Sequence, residues 1–350
     1  MFDKKSKLYN ELPVGSDADD LTKNINEPDK KFVRETFRKI NELSPTGAEI
    51  LNEEEIKYLA MLKQKDEITF THSLEVLNAG KEKLRIFGHD LEKEGVSDKN
   101  FLKACILHDI GKINLPDCIL KAAISHSNFE NIFFKFKKQN PDFIDNRLRE
   151  MKLLKETQGI NDFSNDEIKK MVLDYRDLVS LEFLFAQEPE KLQEINDYGI
   201  NPLTNSLFDV IRGHEEQSRK IIQNMETVAD KKIVAEIAGS HHGYKITHDG
   251  PFPVSKQVLR LTVLANELLH LADVYAALRQ KRLYKERLSE MESLFILAEE
   301  TQKGLFNKQI AKRWIKDSIE NLEKKNYDFS NEDKKKYKTI KEFVETKEEK

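Results

Sequence analysis

The stretch FLKACILHDIGKINLP, residues 101–116, decides how the chain is read. Phe101, Leu102, Ala104, Cys105, Ile106 and Ile110 recur at helical spacing, so residues 99–113 are expected as a buried helix closed by Leu115-Pro116. Into this apolar run are set His108, Asp109 and Lys112. Adjacent helical residues point about 100° apart, so His108 and Asp109 cannot share a face. They can still converge on a cation at a crowded helix crossing. A carboxylate bridges two metal ions readily and an imidazole does not, so Asp109 is the expected bridge. Lys112, three residues on, aims an ammonium at whatever anion the metals hold.

One His-Asp pair is explained as easily by a buried histidine bonded to a neighbour. The ordered set around it changes the reading. His72 lies upstream in KDEITFTHSLEV, His214 downstream in IRGHEEQS, and His241-His242 in AGSHHGYK. Asp273 stands in the apolar run LLHLADVYAAL. A carboxylate there is costly unless it is paired or ligates a metal. Five imidazoles and two carboxylates suit Fe, Mn or another octahedral ion better than a closed structural zinc site. Two such ions side by side activate water and stabilise a phosphoryl transition state, which points to phosphate-ester hydrolysis. His89 and His126 read as solvent-facing. His270 reads as a core residue or a lining of the pocket, and His248 as a loop residue.

The rest of the chain fits a helical enzyme. Charged residues make up 34% and hydrophobic residues 39% of 350, with 13 Gly and 9 Pro, a composition of long helices with solvated faces. The net charge of −4 gives no general attraction for nucleic-acid polymers or acidic membranes. No apolar run approaches the roughly 20 residues that span a bilayer, and the N-terminus has no apolar signal core. A cytoplasmic location is therefore expected, with Cys105 and Cys118 as reduced, buried thiols. Helices are expected from about Phe32, from Asn52 as a cap, and over 72–92, 204–225, 229–240 and 255–286, with two more to about 322. The organisation expected is an arm and helical cap over 1–60, a catalytic domain over 61–322 with a charged helical insertion at about 126–202, and a charged tail over 323–350.

The order His72, His108-Asp109, His214, His241-His242, Asp273 resembles the HD-GYP branch of the HD superfamily. HDIGKINLPDCIL, LTNSLFDVIRGH, LADVYAALRQKRLYK and LAEETQKGLFNKQIAKRWI are similar to family segments, over about 60–122 and 203–320. The resemblance implies an all-α HD-domain bundle around a metal centre and, in most members, phosphodiesterase action on cyclic di-GMP. It implies His72, His108, Asp109, His214, His241, His242 and Asp273 as metal ligands. It implies Lys112 near the scissile phosphate, and Arg282 and Lys285 on the dinucleotide.

Two departures shape the expectation. Pro251-Phe252-Pro253 follows Asp249-Gly250 where the family has Gly-Tyr-Pro, leaving Phe252 to stack on a base without a hydroxyl. Members with three metals carry a Glu four residues before the first His, where this chain has Ile68. Two ions, Fe or Mn, and a linear dinucleotide product are therefore expected. The altered loop favours an alternative, an HD phosphohydrolase for another nucleotide. The long insertion favours a second alternative, a non-catalytic nucleotide receptor or scaffold. A protein partner through the insertion or residues 1–60, and a homodimer, stay open.

Overall fold

The computed structural model describes residues 27–122, 132, 134–136, 138–140, 179–226, 230–242, 256–280, 287–325, 327 and 330–346, with the backbone alone over 256–263. They form helices and turns, and no strand occurs among them; Ser180 and Ser206 make one isolated antiparallel bridge. The all-α expectation holds. None of the described helices is long and apolar enough to cross a membrane.

The chain divides into two compact units. The larger comprises residues 27–110 and 215–350. Its helices are α1 (Lys30–Leu43), α2 (Pro45–Ile50), α3 (Glu53–Lys65), α4 (Glu67–Lys93) and α5 (Asp98–Leu107) from the first segment. In the numbering used here, α6 to α9 belong to the smaller unit. The second segment supplies α10 (His214–Asn224), whose first residue belongs to the smaller unit, α11 (Lys231–Ala238), α12 (Lys256–Arg279), α13 (Glu290–Gln302), α14 (Lys308–Lys324) and α15 (Asn331–Glu345).

Local chemistry sets these boundaries. Ser44 ends α1 and Pro45, which lacks the amide proton that a first helical turn cannot use, opens α2. Asn52 and Glu55 form a reciprocal capping box at the start of α3, as the Asn52 reading anticipates. The helix expected over 72–92 starts five residues earlier, because Asp66 caps Ile68 and so admits Glu67 as the first helical residue. The single helix expected over 204–225 is broken at Gly213 into α9 and α10.

α4 is the central strut of the larger unit, packed against α3, α5 and α12. Phe70, Leu74, Leu77, Phe87 and Leu91 bury its inner face. Gly80 permits the close approach of α5: a Cβ there would lie 2.8 Å from Cys105 Sγ and 3.2 Å from Phe101. Two buried ion pairs tie helices together. Lys103 on α5 meets Glu55 on α3 at 2.5 Å, and Lys83 on α4 meets Asp317 on α14 at 2.9 Å. Burial pulls the Lys83 ammonium below its ordinary pKa, and Asp317 partly restores it. The charged tail is helical over α15, which packs on α13 and α14 and buries Ile340 and Phe343.

The smaller unit lies within residues 111–214 among those described. It holds α6 (Asp117–Leu120), α7 (Leu181–Leu184), α8 (Pro189–Asp197) and α9 (Leu207–Arg212). Leu115, Cys118 and Ile119 from the segment after the His-Asp motif share one core with Leu181, Phe185 and Ile195 from the insertion and with Leu207 and Val210. Glu194 accepts the Asp117 amide at 2.6 Å. The described end of the insertion is thus a packed part of its unit. From FENIFFKFKK, Phe136 is buried with its ring 4.9 Å from Phe183, while Phe134 is exposed. Both cysteines are free thiols and buried; burial raises both, Cys118 to about 12.

Gly80→Ala should lower stability by roughly 1–2 kcal/mol although alanine is the better helix former, because overpacking outweighs propensity. Adding Cys105→Ala should recover more than half of that loss. Urea unfolding of the two variants measures both.

Candidate metal centre

The His-Asp motif departs from the expectation of one helix over 99–113. α5 stops at Leu107, His108 is its C-cap, and Ile110–Asn114 forms a 3-10 turn. The reason lies in who takes the last carbonyls of α5. His108 Nδ1 hydrogen-bonds the Cys105 carbonyl at 2.9 Å. Ser218 on α10 donates its hydroxyl to the His108 carbonyl at 2.7 Å. These partners replace the amides that would continue the helix. Asp109 therefore leaves the helix with His108 and turns into the same buried space; neither is more than 1% exposed.

The same device recurs. His241, three residues past the end of α11, directs Nδ1 at the Ala238 carbonyl at 2.6 Å. His214, the last residue of the smaller unit, directs Nδ1 at the Ile211 carbonyl. A carbonyl only accepts, so each Nδ1 carries the proton and each Nε2 is the ring's acceptor atom. This is the tautomer that presents Nε2 to a metal ion.

Within the larger unit the side chains converge from four places. α4 supplies His72, the end of α5 supplies His108 and Asp109, the end of α11 supplies His241 and His242, and α12 supplies His270 and Asp273. His72 Nε2 donates to Asp273 Oδ1 at 2.7 Å, and its Nδ1 is buried without a hydrogen-bond partner. Burial holds His72 below the usual imidazole pKa, so the ring is neutral near pH 7. Burial alone would raise Asp273, but the His72 hydrogen bond and the neighbouring imidazoles outweigh it and hold its carboxyl well below the usual range.

The carboxylates divide their oxygens between imidazoles. Asp109 Oδ2 lies 3.3 Å from His108 Nε2, and Asp109 Oδ1 lies 4.0 Å from His241 Nε2. Asp273 Oδ1 lies 3.8 Å from His108 Nε2, and Asp273 Oδ2 lies 3.7 Å from His242 Nδ1. With Nδ1 of His108 and His241 committed as donors, their contacts to Asp109 set acceptor against acceptor in a buried space. Such an arrangement is repulsive unless cations lie between the groups. A proton serves one contact, and a divalent ion serves several. The donor set of imidazole nitrogen and carboxylate oxygen also fits a catalytic divalent ion. His72, His108 and Asp109 bring ligand atoms within 4.8 Å of one another, and so do His242, His270 and Asp273.

Lys112 is half-buried in the 3-10 turn. Ile68 is exposed on α4, and its carbonyl accepts from Gln280. Phe252, Arg282, Lys285, His126 and His248 lie outside the described residues, as does most of the 126–202 insertion. His89 is exposed. Two participants were not legible as such. Glu215 accepts the His242 amide at 2.6 Å and lies 3.8 Å from His241 Nδ1; its signal was only an acid beside His214. His270 belongs to a cluster of potential ligands; its position one helical turn before Asp273 was the available clue.

The family model for the HD domain matches residues 69–180. The match includes His72, His108 and Asp109 and supports placement in the HD superfamily, an all-helical class of domains that bind divalent metals and are generally metal-dependent phosphohydrolases. No curated protein and no solved structure matches the chain.

Glu267, one turn before His270 on α12, is fully buried. It accepts the Asn307 amide at 3.3 Å, and burial raises its carboxyl to about 8. Its folded pKa exceeds the unfolded value near 4.5, so the folded state holds the proton longer. Its contribution to stability is complete below about pH 4.5 and is lost as pH rises to about 8. Glu267→Gln should therefore gain roughly 2–4 kcal/mol on wild type at pH 8 and little at pH 5. Urea midpoints of both proteins at the two pH values check this.

Proposed function

We propose that the protein is a metal-dependent phosphodiesterase that opens a cyclic dinucleotide, with cyclic di-GMP the substrate of first choice and the linear dinucleotide the product. The observation that carries the reading is the division of Asp109 and Asp273, each with its two oxygens turned toward different imidazoles. Two carboxylates so placed suit a centre of two divalent ions, Fe or Mn. His72, His108, Asp109, His241, His242 and Asp273 would hold these ions between them. The HD-GYP resemblance adds His214 to the ligands and Lys112 to the group that holds the phosphate. When bound, such ions supply Lewis acidity toward a phosphate and lower the pKa of water.

The chain's own part is to hold charge and orientation. Asp273, kept ionised by its imidazole neighbours, balances a cation without a proton to lose near neutral pH. The Nδ1-to-carbonyl bonds of His108 and His241 hold each ring in one tautomer and one plane, so no reorganisation is needed when charge develops. By the HD-GYP resemblance, Lys112 would offer an ammonium to a phosphate oxygen. Arg282 and Lys285, three apart in sequence, would grip the second phosphate or a guanine edge, and Phe252 would stack on a base.

A second reading is an HD phosphohydrolase for a different nucleotide. It is favoured by one feature, Pro251-Phe252-Pro253 in place of Gly-Tyr-Pro.

Product chromatography on Mn- or Fe-loaded protein with cyclic di-GMP tests the proposal. Linear dinucleotide should accumulate. Loss of residues that merely orient metal ligands costs about 10–100-fold, so Asp109→Ala should cost at least about 100-fold. Loaded protein that leaves cyclic di-GMP intact but hydrolyses another nucleotide would select the second reading. Turnover undiminished in Asp109→Ala would sink both.

A further inference from the structure

The ligand set that sequence and resemblance assign leaves out His270. This residue is 7% exposed, and it lies three residues ahead of Asp273, on the same face of α12. One ligand atom from each of His242, His270 and Asp273 lies within 4.8 Å of the others. Ligand atoms bound to one ion at about 2.1 Å stand up to roughly 4.2 Å apart, so small side-chain movements close the gap.

Three further features favour a site here. Asp273 Oδ1 is engaged by His72 at 2.7 Å, whereas Oδ2 faces His242 Nδ1 at 3.7 Å. The carboxylate thus offers one oxygen to each side. The His270 ring packs on Phe306, with centroids 5.0 Å apart, and stands perpendicular to the His242 ring at 6.1 Å. Its orientation is thereby fixed by packing within the larger unit. The His242 side chain is 39% exposed, unlike those of His72, His108, Asp109 and His241, so this end of the cluster faces solvent.

We propose that His270 is a further metal ligand, which builds with His242 and Asp273 a divalent-cation site beyond the two-ion centre. The inference rests on the metal-centre reading given above and enlarges it. Two imidazole nitrogens and one carboxylate oxygen suit Fe, Mn or Zn. Three protein ligands leave positions open, the pattern of a catalytic rather than a structural site. With the His242 side chain 39% exposed, this position would be the one most open to an incoming phosphate oxygen. His242 then serves this ion, and the second ion of the pair keeps Asp109 and His241.

The test counts metal per chain by plasma mass spectrometry after Mn loading and gel filtration, in wild type, His270→Ala, His270→Gln and Asp109→Ala. Manganese titration followed by electron paramagnetic resonance supplies a readout independent of turnover. Three ions in wild type, falling to two in both His270 variants with the weakest binding step gone, are expected. Two ions in wild type, or the same count and the same titration in wild type and the His270 variants, would overturn the inference. A wild-type count of two overturns the inference even where a variant fails to fold, and His270→Gln, which keeps the side chain's bulk, supplies the comparison where His270→Ala does not fold. Metal lost in Asp109→Ala but unchanged in the His270 variants would reject this site alone. A wild type that binds no metal would reject the two-ion centre with it.

Discussion

The structure turns on two buried carboxylates held among imidazoles. Asp109 and Asp273 are almost wholly removed from water, and a lone ionised carboxylate in such a place is strongly disfavoured. Asp273 is compensated by His72 across the α4–α12 packing, which makes that contact structural as well as chemical. The price of the cluster is visible elsewhere in the fold. α5 gives up its last turn, and helix ends rather than helix middles deliver His108 and His241.

Two of the imidazoles, His108 and His241, are delivered from helix ends rather than helix middles. On a continuous helix, His108 and Asp109 would diverge by about 100°. His108 keeps right-handed helical backbone angles as the C-cap of α5, and the ring that hydrogen-bonds the Cys105 carbonyl is also the ring that presents Nε2. One hydrogen bond therefore closes a helix, fixes a tautomer and aims a ligand. His241 repeats this in an unrelated segment, with Ala238 in the place of Cys105.

Much of this was readable from sequence. The apolar run around Asp273 announced a buried carboxylate that needed partners, and the Asn52 cap and the buried faces of α4 and α5 followed from pattern alone. The end of α5 was not readable, because Ser218, which takes the His108 carbonyl, lies 110 residues away. Glu215 was opaque for the same reason: its contact with the His242 amide is made by tertiary folding. His270 reads as a core or pocket-lining residue from its place one turn before Asp273, and the packing of α12 beside the end of α11 brings it to His242. The insertion reads by composition as charged and helical. Its described end shares a core with the residues that flank it, since Leu181, Phe185 and Ile195 are too few to bury one another alone.

The central claim is that fixed imidazole Nε2 atoms and divided carboxylates hold metal ions. Anomalous diffraction from Mn-loaded crystals at the manganese edge tests it most directly. The account predicts peaks at ligand distance, about 2.0–2.3 Å, from Nε2 of His108 and His241, with Asp109 between two of them. Ordered rings and carboxylates with no anomalous peak among them, or a metal bound through Nδ1 of His108, would contradict it.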